Sequence, residues 1–172
     1  MSNTIPFEES EEFRLALSNS ARHLRQNQPK EAEQLLVPLF HKAPHHVDVA
    51  INLSGAYILQ RKWNNAVRVL QAITRIQPNN AMLWMNLGAA QLGRLELAGP
   101  KQQAAAIKSF ERALEVDPTT PNAHYHIGLI YKDQGELERA ATYFESALKL
   151  DPGDRDARNW LEKIKAYLAE KE

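Results

Sequence analysis

The chain has 172 residues, with 21 basic and 21 acidic side chains, so its net charge is zero and no field draws it to nucleic acid or an anionic membrane. It has no cysteine, which excludes disulfides, thiolate metal sites and a cysteine nucleophile. No stretch approaches the roughly 18 apolar residues that a bilayer span requires, and the opening MSNTIPFEESEEF has no apolar run of a secretory signal, so a soluble, cytoplasmic protein is expected.

Residues 1–10 read as a flexible N-terminal lead. Ser10 suits an N-cap, with Glu11 and Glu12 in the favourable first turn of a helix reaching about Gln26. Asn27-Gln28-Pro29 turns the chain, and Pro29 fits the first position of a second helix. Pro38 falls inside that helix, where it removes a backbone bond, so a kink is expected. After Ala43-Pro44-His45-His46, helices are expected near 47–60 and 63–76, closed by Gln77-Pro78-Asn79-Asn80. The next pair starts at Ala81 and carries extra residues around GRLELAGPK, Gly93 to Lys101. Leu92, Leu95 and Ala98 continue an apolar row, so the insertion is expected to lengthen both helices by about one turn, a projecting loop being the alternative. A further pair covers 121–154. A last helix over 155–170 has Trp160, Leu161, Ile164 and Leu168 as its apolar stripe and Arg155, Arg158, Glu162 and Lys165 facing water.

The pairs repeat at a fixed period. Ala140 has counterparts at Ala106, Ala66 and Ala32, Phe144 at Phe110, Leu70 and Leu36, and Pro152 at Pro118, Pro78 and Pro44. The steps are 34, 40 and 34 residues, and the small residues Gly128, Gly88, Ser54 and Ser20 place the six-residue insertion between Gly88 and Ala106. The best copy carries Ile127-Gly128, Tyr131, Ala140, Phe144, Ala147 and Pro152; the third has Trp84, Leu87-Gly88, Ala106, Phe110, Ala113 and Pro118.

This pattern resembles the tetratricopeptide repeat (TPR) family over about residues 11–154. The resemblance implies an all-α, right-handed α-α superhelix (solenoid) of about four TPR helical hairpins plus a C-terminal capping helix. Its parts are a divergent TPR 1 at 11–46, TPR 2 at 47–80, TPR 3 with the insertion at 81–120, TPR 4 at 121–154 and the cap at 155–172.

The resemblance also implies a concave, partly apolar groove lined by the first helix of each repeat, which binds an extended or helical peptide segment of a partner. Its positions are Asp48, Ile51, Asn52 and Gly55; Met82, Met85, Asn86 and Ala89; and Asn122, Tyr125, His126 and Leu129. Asparagines at places such as Asn52 and Asn86 suit a peptide main chain, because a carboxamide both donates and accepts; Asn52 and Asn86 are expected to face one channel. Methionines suit an adaptable surface. The cluster of basic residues with which some family members clamp a C-terminal carboxylate is missing, Ile51, Gly55, Asn86, Asn122 and His126 standing there in one alignment.

The six histidines show no metal-site spacing, and no catalytic constellation or glycine-rich phosphate loop emerges, so the reading is of a non-enzyme without cofactor or metal. The expected partner is a protein or peptide, with no nucleic acid and no membrane insertion. The alternative is a self-associating assembly subunit, for instance a homodimer, whose groove is filled by another protomer or by its own N-terminus, where Ile5, Pro6 and Phe7 form an apolar motif.

Overall fold

The computed structural model describes residues 9–171. Most of the expected lead, including Ile5-Pro6-Phe7, lies outside the described residues. Among those described there are nine α-helices and no strand: α1 (Glu11–Arg25), α2 (Pro29–Lys42), α3 (Val47–Leu59), α4 (Trp63–Ile76), α5 (Ala81–Leu92), α6 (Pro100–Val116), α7 (Ala123–Asp133), α8 (Leu137–Leu150) and α9 (Arg155–Ala169). The fold is the expected all-α solenoid class, with successive helices paired as hairpins and α9 after the last pair. The described residues divide into two compact units, the first ending at Pro78 and the second beginning at Asn79.

Local chemistry sets the helix ends. The Ser10 hydroxyl accepts from the Phe13 amide at 3.1 Å, Asn80 Oδ1 from those of Met82 and Leu83, and Asp154 Oδ1 from those of Asp156 and Ala157. Pro29 and Pro100 begin their helices, as their missing N–H permits. Helix α2 runs continuously through Pro38, which is exposed, as is Gln34 one turn back, whose carbonyl loses its helical donor.

The first unit comprises α1 to α4. Its core holds Phe13, Leu36, Leu53, Leu70 and Ile73, with Ser20 and Ser54 fully buried. Each serine hydroxyl donates to the carbonyl three residues back, Leu17 at 2.6 Å and Ile51 at 2.9 Å, so neither is left unsatisfied. Phe13, absent from the repeat signature, is 3 % exposed and packs against His46 at 5.3 Å.

The second unit comprises α5 to α9 around Phe110, Ile127, Ile130, Phe144, Leu161 and Ile164. A Cβ on Gly88 would lie 2.5 Å from the Phe110 ring, and one on Gly128 would lie 3.0 Å from that of Phe144. The glycines therefore let each first helix rest on the phenylalanine of its second. The insertion departs from expectation. Helix α5 stops at Leu92 with 12 residues, because Gly93 turns to φ 63° and ψ −116°, a conformation open to glycine. A single 3-10 turn, Leu95–Leu97, follows, and only α6 is longer, at 17 residues against 14 for α8. The apolar row is genuine but not helical: Leu95 and Ala98 pack on the core from the loop, and Leu97 is 72 % exposed.

Two glycine-to-alanine changes should have opposite effects. Gly88→Ala should destabilise the chain, since overpacking costs about 1–3 kcal/mol against about 1 kcal/mol of helix propensity gained. Gly55→Ala, with no atom within 4 Å of the added Cβ, should stabilise by about 0.5–1 kcal/mol. Urea denaturation of both variants measures the signs.

Candidate functional site

On α3, Asp48, Ile51, Asn52 and Gly55 fall at i, i+3, i+4 and i+7, which is one stripe of the helix. It lies opposite the face that buries Val49, Ala50, Leu53 and Ser54. Asp48 is exposed and the other three are half-buried. The Asn52 carboxamide has no hydrogen-bond partner among the described residues, and the space over Gly55 is open. Farther along, Ile58 is half-buried and Leu59 is 52 % exposed, so this helix shows apolar surface on both faces.

The N-terminal end of this stripe is held by groups distant in sequence. His46 caps α3, its Nδ1 accepting from the Val49 amide at 3.4 Å, while Nε2 meets Glu9 Oε1 at 2.8 Å. At the far end, Gln60 and Lys62 bind Glu33 of α2, both at 2.6 Å. Burial pushes the Glu33 carboxyl up, but these hydrogen bonds outweigh it and leave its pKa below the usual carboxylate range.

In the second unit the same spacing gives a more covered surface. Met82 is 49 % exposed, and Asn86 and Ala89 are half-buried, the Asn86 carboxamide also without a partner among the described residues. Met85, expected to line the groove, is 9 % exposed and belongs to the core, because α5 buries residues on nearly its whole circumference. On α7, Asn122 is exposed at the helix start with φ 62°, whereas Tyr125, His126 and Leu129 are half-buried. His126 stacks on Phe110 at 5.3 Å and 15°, and Tyr125 meets Phe144 at 5.8 Å. These rings serve packing as much as display. Asn52 belongs to the first compact unit and Asn86 to the second. Among the described residues no group of three histidines or carboxylates could hold a metal, and no helix is long and apolar enough to cross a membrane.

Models of the tetratricopeptide repeat match residues 23–90 and 121–154, and a TPR repeat model matches residues 101–135. The chain belongs to the tetratricopeptide repeat family. Its TPR segments are similar to the peroxisomal targeting signal receptor of Candida albicans, 26% identical over 109 residues, 63% of this chain and 17% of the receptor. A 47-residue stretch, 27% of the chain, is 49% identical to a probable UDP-N-acetylglucosamine–peptide N-acetylglucosaminyltransferase SPINDLY of Solanum lycopersicum, and spans 5% of that protein. The match thus spans less than a fifth of either relative's length. Among solved structures, MamA (41-end) from Desulfovibrio magneticus RS-1 has a TM-score of 0.77 at 23% identity, covering 94% of this chain and 88% of that one. A thermophilic TPR protein of Thermus thermophilus has a TM-score of 0.76 at 18% identity, covering 90% and 82%. These two likenesses concern the fold.

The TPR core of the second unit carries a pH dependence. Burial holds His124 and His126 below the usual histidine range. The unfolded chain then binds these protons more readily than the folded one, so the stability is whole above the usual range and is lost as pH falls through the lowered values. The thermal midpoint should fall between about pH 7 and pH 5, and the combined His124→Asn and His126→Phe variant should flatten that slope.

Proposed function

We propose that this TPR chain is a non-catalytic, cytoplasmic protein–protein interaction scaffold that binds an extended or helical peptide segment of a partner on the outer stripes of its first helices. One observation carries the reading. Along α3, an unengaged carboxamide at Asn52 stands between half-buried Ile51 and the open space over Gly55. A carboxamide in that setting can donate to a peptide carbonyl and accept from a peptide N–H, while Ile51, Ile58 and Leu59 supply apolar surface that loses water on contact. Asp48 adds a preference for a cation near the start of the segment. On the second unit, Met82, Asn86, Ala89, Asn122, Tyr125, His126 and Leu129 belong to the proposed surface, with Met85 supporting it from within the core. A relative named as a targeting-signal receptor accords with a recognition role for such repeats.

The test selects peptides from a random display library on the whole chain, then measures their affinities for two variants. Asn52→Ala should weaken binding by about tenfold, the equivalent of roughly 1.4 kcal/mol. Gly55→Met should abolish it by filling the floor, with the circular dichroism spectrum unchanged. Selected peptides that bind both folded variants as tightly as the parent would refute the α3 surface.

A further inference from the structure

The first unit carries a second concavity, distinct from the α3 stripe. It is a cleft of about 360 Å³ between α2 and α4, floored by Leu53 and Tyr57 of α3 and walled by Val37, Phe40 and Val69, with Arg68 at its mouth. That volume lies within the range of sites that take small ligands or anchoring side chains. No carboxylate lines it. Glu33, whose charge reaches Tyr57, is held by Lys62 at 2.6 Å, so the cleft presents an apolar floor and a cation.

The repeat supplies its own control. Moving 74 residues along carries Val37 to Glu111, Leu53 to Ile127, Tyr57 to Tyr131 and Val69 to Tyr143. In the second unit that place is filled from within. The Tyr143 ring stacks on Tyr131 at 5.5 Å and 28°, the Glu111 carboxylate is near enough to add to burial in raising the Tyr143 hydroxyl above its usual pKa, and the Arg139 guanidinium lies 4.7 Å from the Tyr131 centroid. The filling set is therefore an aromatic ring with a carboxylate beside it, over a tyrosine and an arginine. The first unit keeps the tyrosine, as Tyr57, and holds valines where the ring and the carboxylate would be; the place of Arg139 is taken by Asn65, and the arginine stands one turn on, as Arg68, bonded to Asn65. Val69, in the wall of the cleft, is 8 % exposed.

We propose that the α2–α4 cleft is a second docking site, for a partner peptide in which an aromatic residue stands directly beside a carboxylate. The ring takes the place over Tyr57 and Val69 that Tyr143 takes in the second unit, where an offset stack adds to the area buried. The carboxylate pairs with Arg68, whose Nη2 is otherwise engaged with Asn65 Oδ1 at 2.8 Å. This site is separate from the α3 stripe, so either can be disproved without the other.

The probe is the blocked hexapeptide acetyl-Ser-Gly-Phe-Glu-Glu-Gly-amide, titrated into the whole isotope-labelled chain and followed by methyl and amide chemical shifts. Saturable shifts are expected at Val37, Leu53, Val69 and Ala72. Binding should fall by about tenfold when the two glutamates become lysines or the phenylalanine becomes alanine. In the protein, Val69→Tyr should close the site, since the chain already accommodates tyrosine at the equivalent place, and Arg68→Gln should erase the preference for glutamate over lysine. A folded Val69→Tyr chain that binds unchanged, equal binding of the lysine peptide, or shifts confined to Ile51, Asn52 and Gly55 would each overturn the proposal. Binding that appears only after Phe7→Ala would show the chain's own Phe7-Glu8 pair already in the cleft, which overturns a separate partner as its occupant.

Discussion

The hairpin of this chain depends on how closely its two helices approach. At Gly88 and Gly128 the absence of one methyl group lets a phenylalanine ring of the following helix sit where a Cβ would be. At Ser20 and Ser54 the same place carries a hydroxyl, and Leu36 and Leu70 stand where the phenylalanines would be. Small residue and large residue vary together, as the close packing of a protein interior requires. The serine version adds a buried polar group, which turns back to its own helix and costs nothing unsatisfied. Once this contact is fixed, the opposite side of the first helix is left facing outward, and that side is where a repeat can recognise something.

How much is left facing outward differs between the two units. Helix α3 buries one side and exposes another that still carries isoleucine and leucine. Helix α5 has equally apolar residues on its outer stripe, but Met85 is drawn into the core and α7 contributes rings that stack inward. The less regular hairpins of the first unit therefore hold both the clearest outer stripe and the open α2–α4 cleft. A difference between copies outside the repeat signature, valine at 69 against tyrosine at 143, is what creates space.

Much of the fold is legible in the sequence. The caps at Ser10 and the helix starts at Pro29 and Pro100 announce themselves through local chemistry, and the 34-residue period identifies the family. Contacts between residues far apart in the chain are not legible. The His46–Glu9 contact spans 37 positions, and the core role of Phe13 falls outside the signature. The insertion reads as helix because Leu92, Leu95 and Ala98 keep a helical spacing, yet one glycine at 93 ends the helix and the same side chains reach the core from a loop. Met85 reads as surface because its position in the repeat is a surface position; periodicity within one helix carries no record of what its neighbours cover. The grouping into two units at residue 78 leaves no trace in the repeat pattern for the same reason.

The central claim is that the outer stripe of α3 is a recognition surface. Its most direct measurement is a structure of the whole chain bound to a peptide selected on it. The account predicts a peptide main chain hydrogen-bonded to the Asn52 carboxamide and passing over Gly55, with an apolar side chain against Ile51 or Ile58. A peptide seated elsewhere, with Asn52 still unengaged, would contradict it.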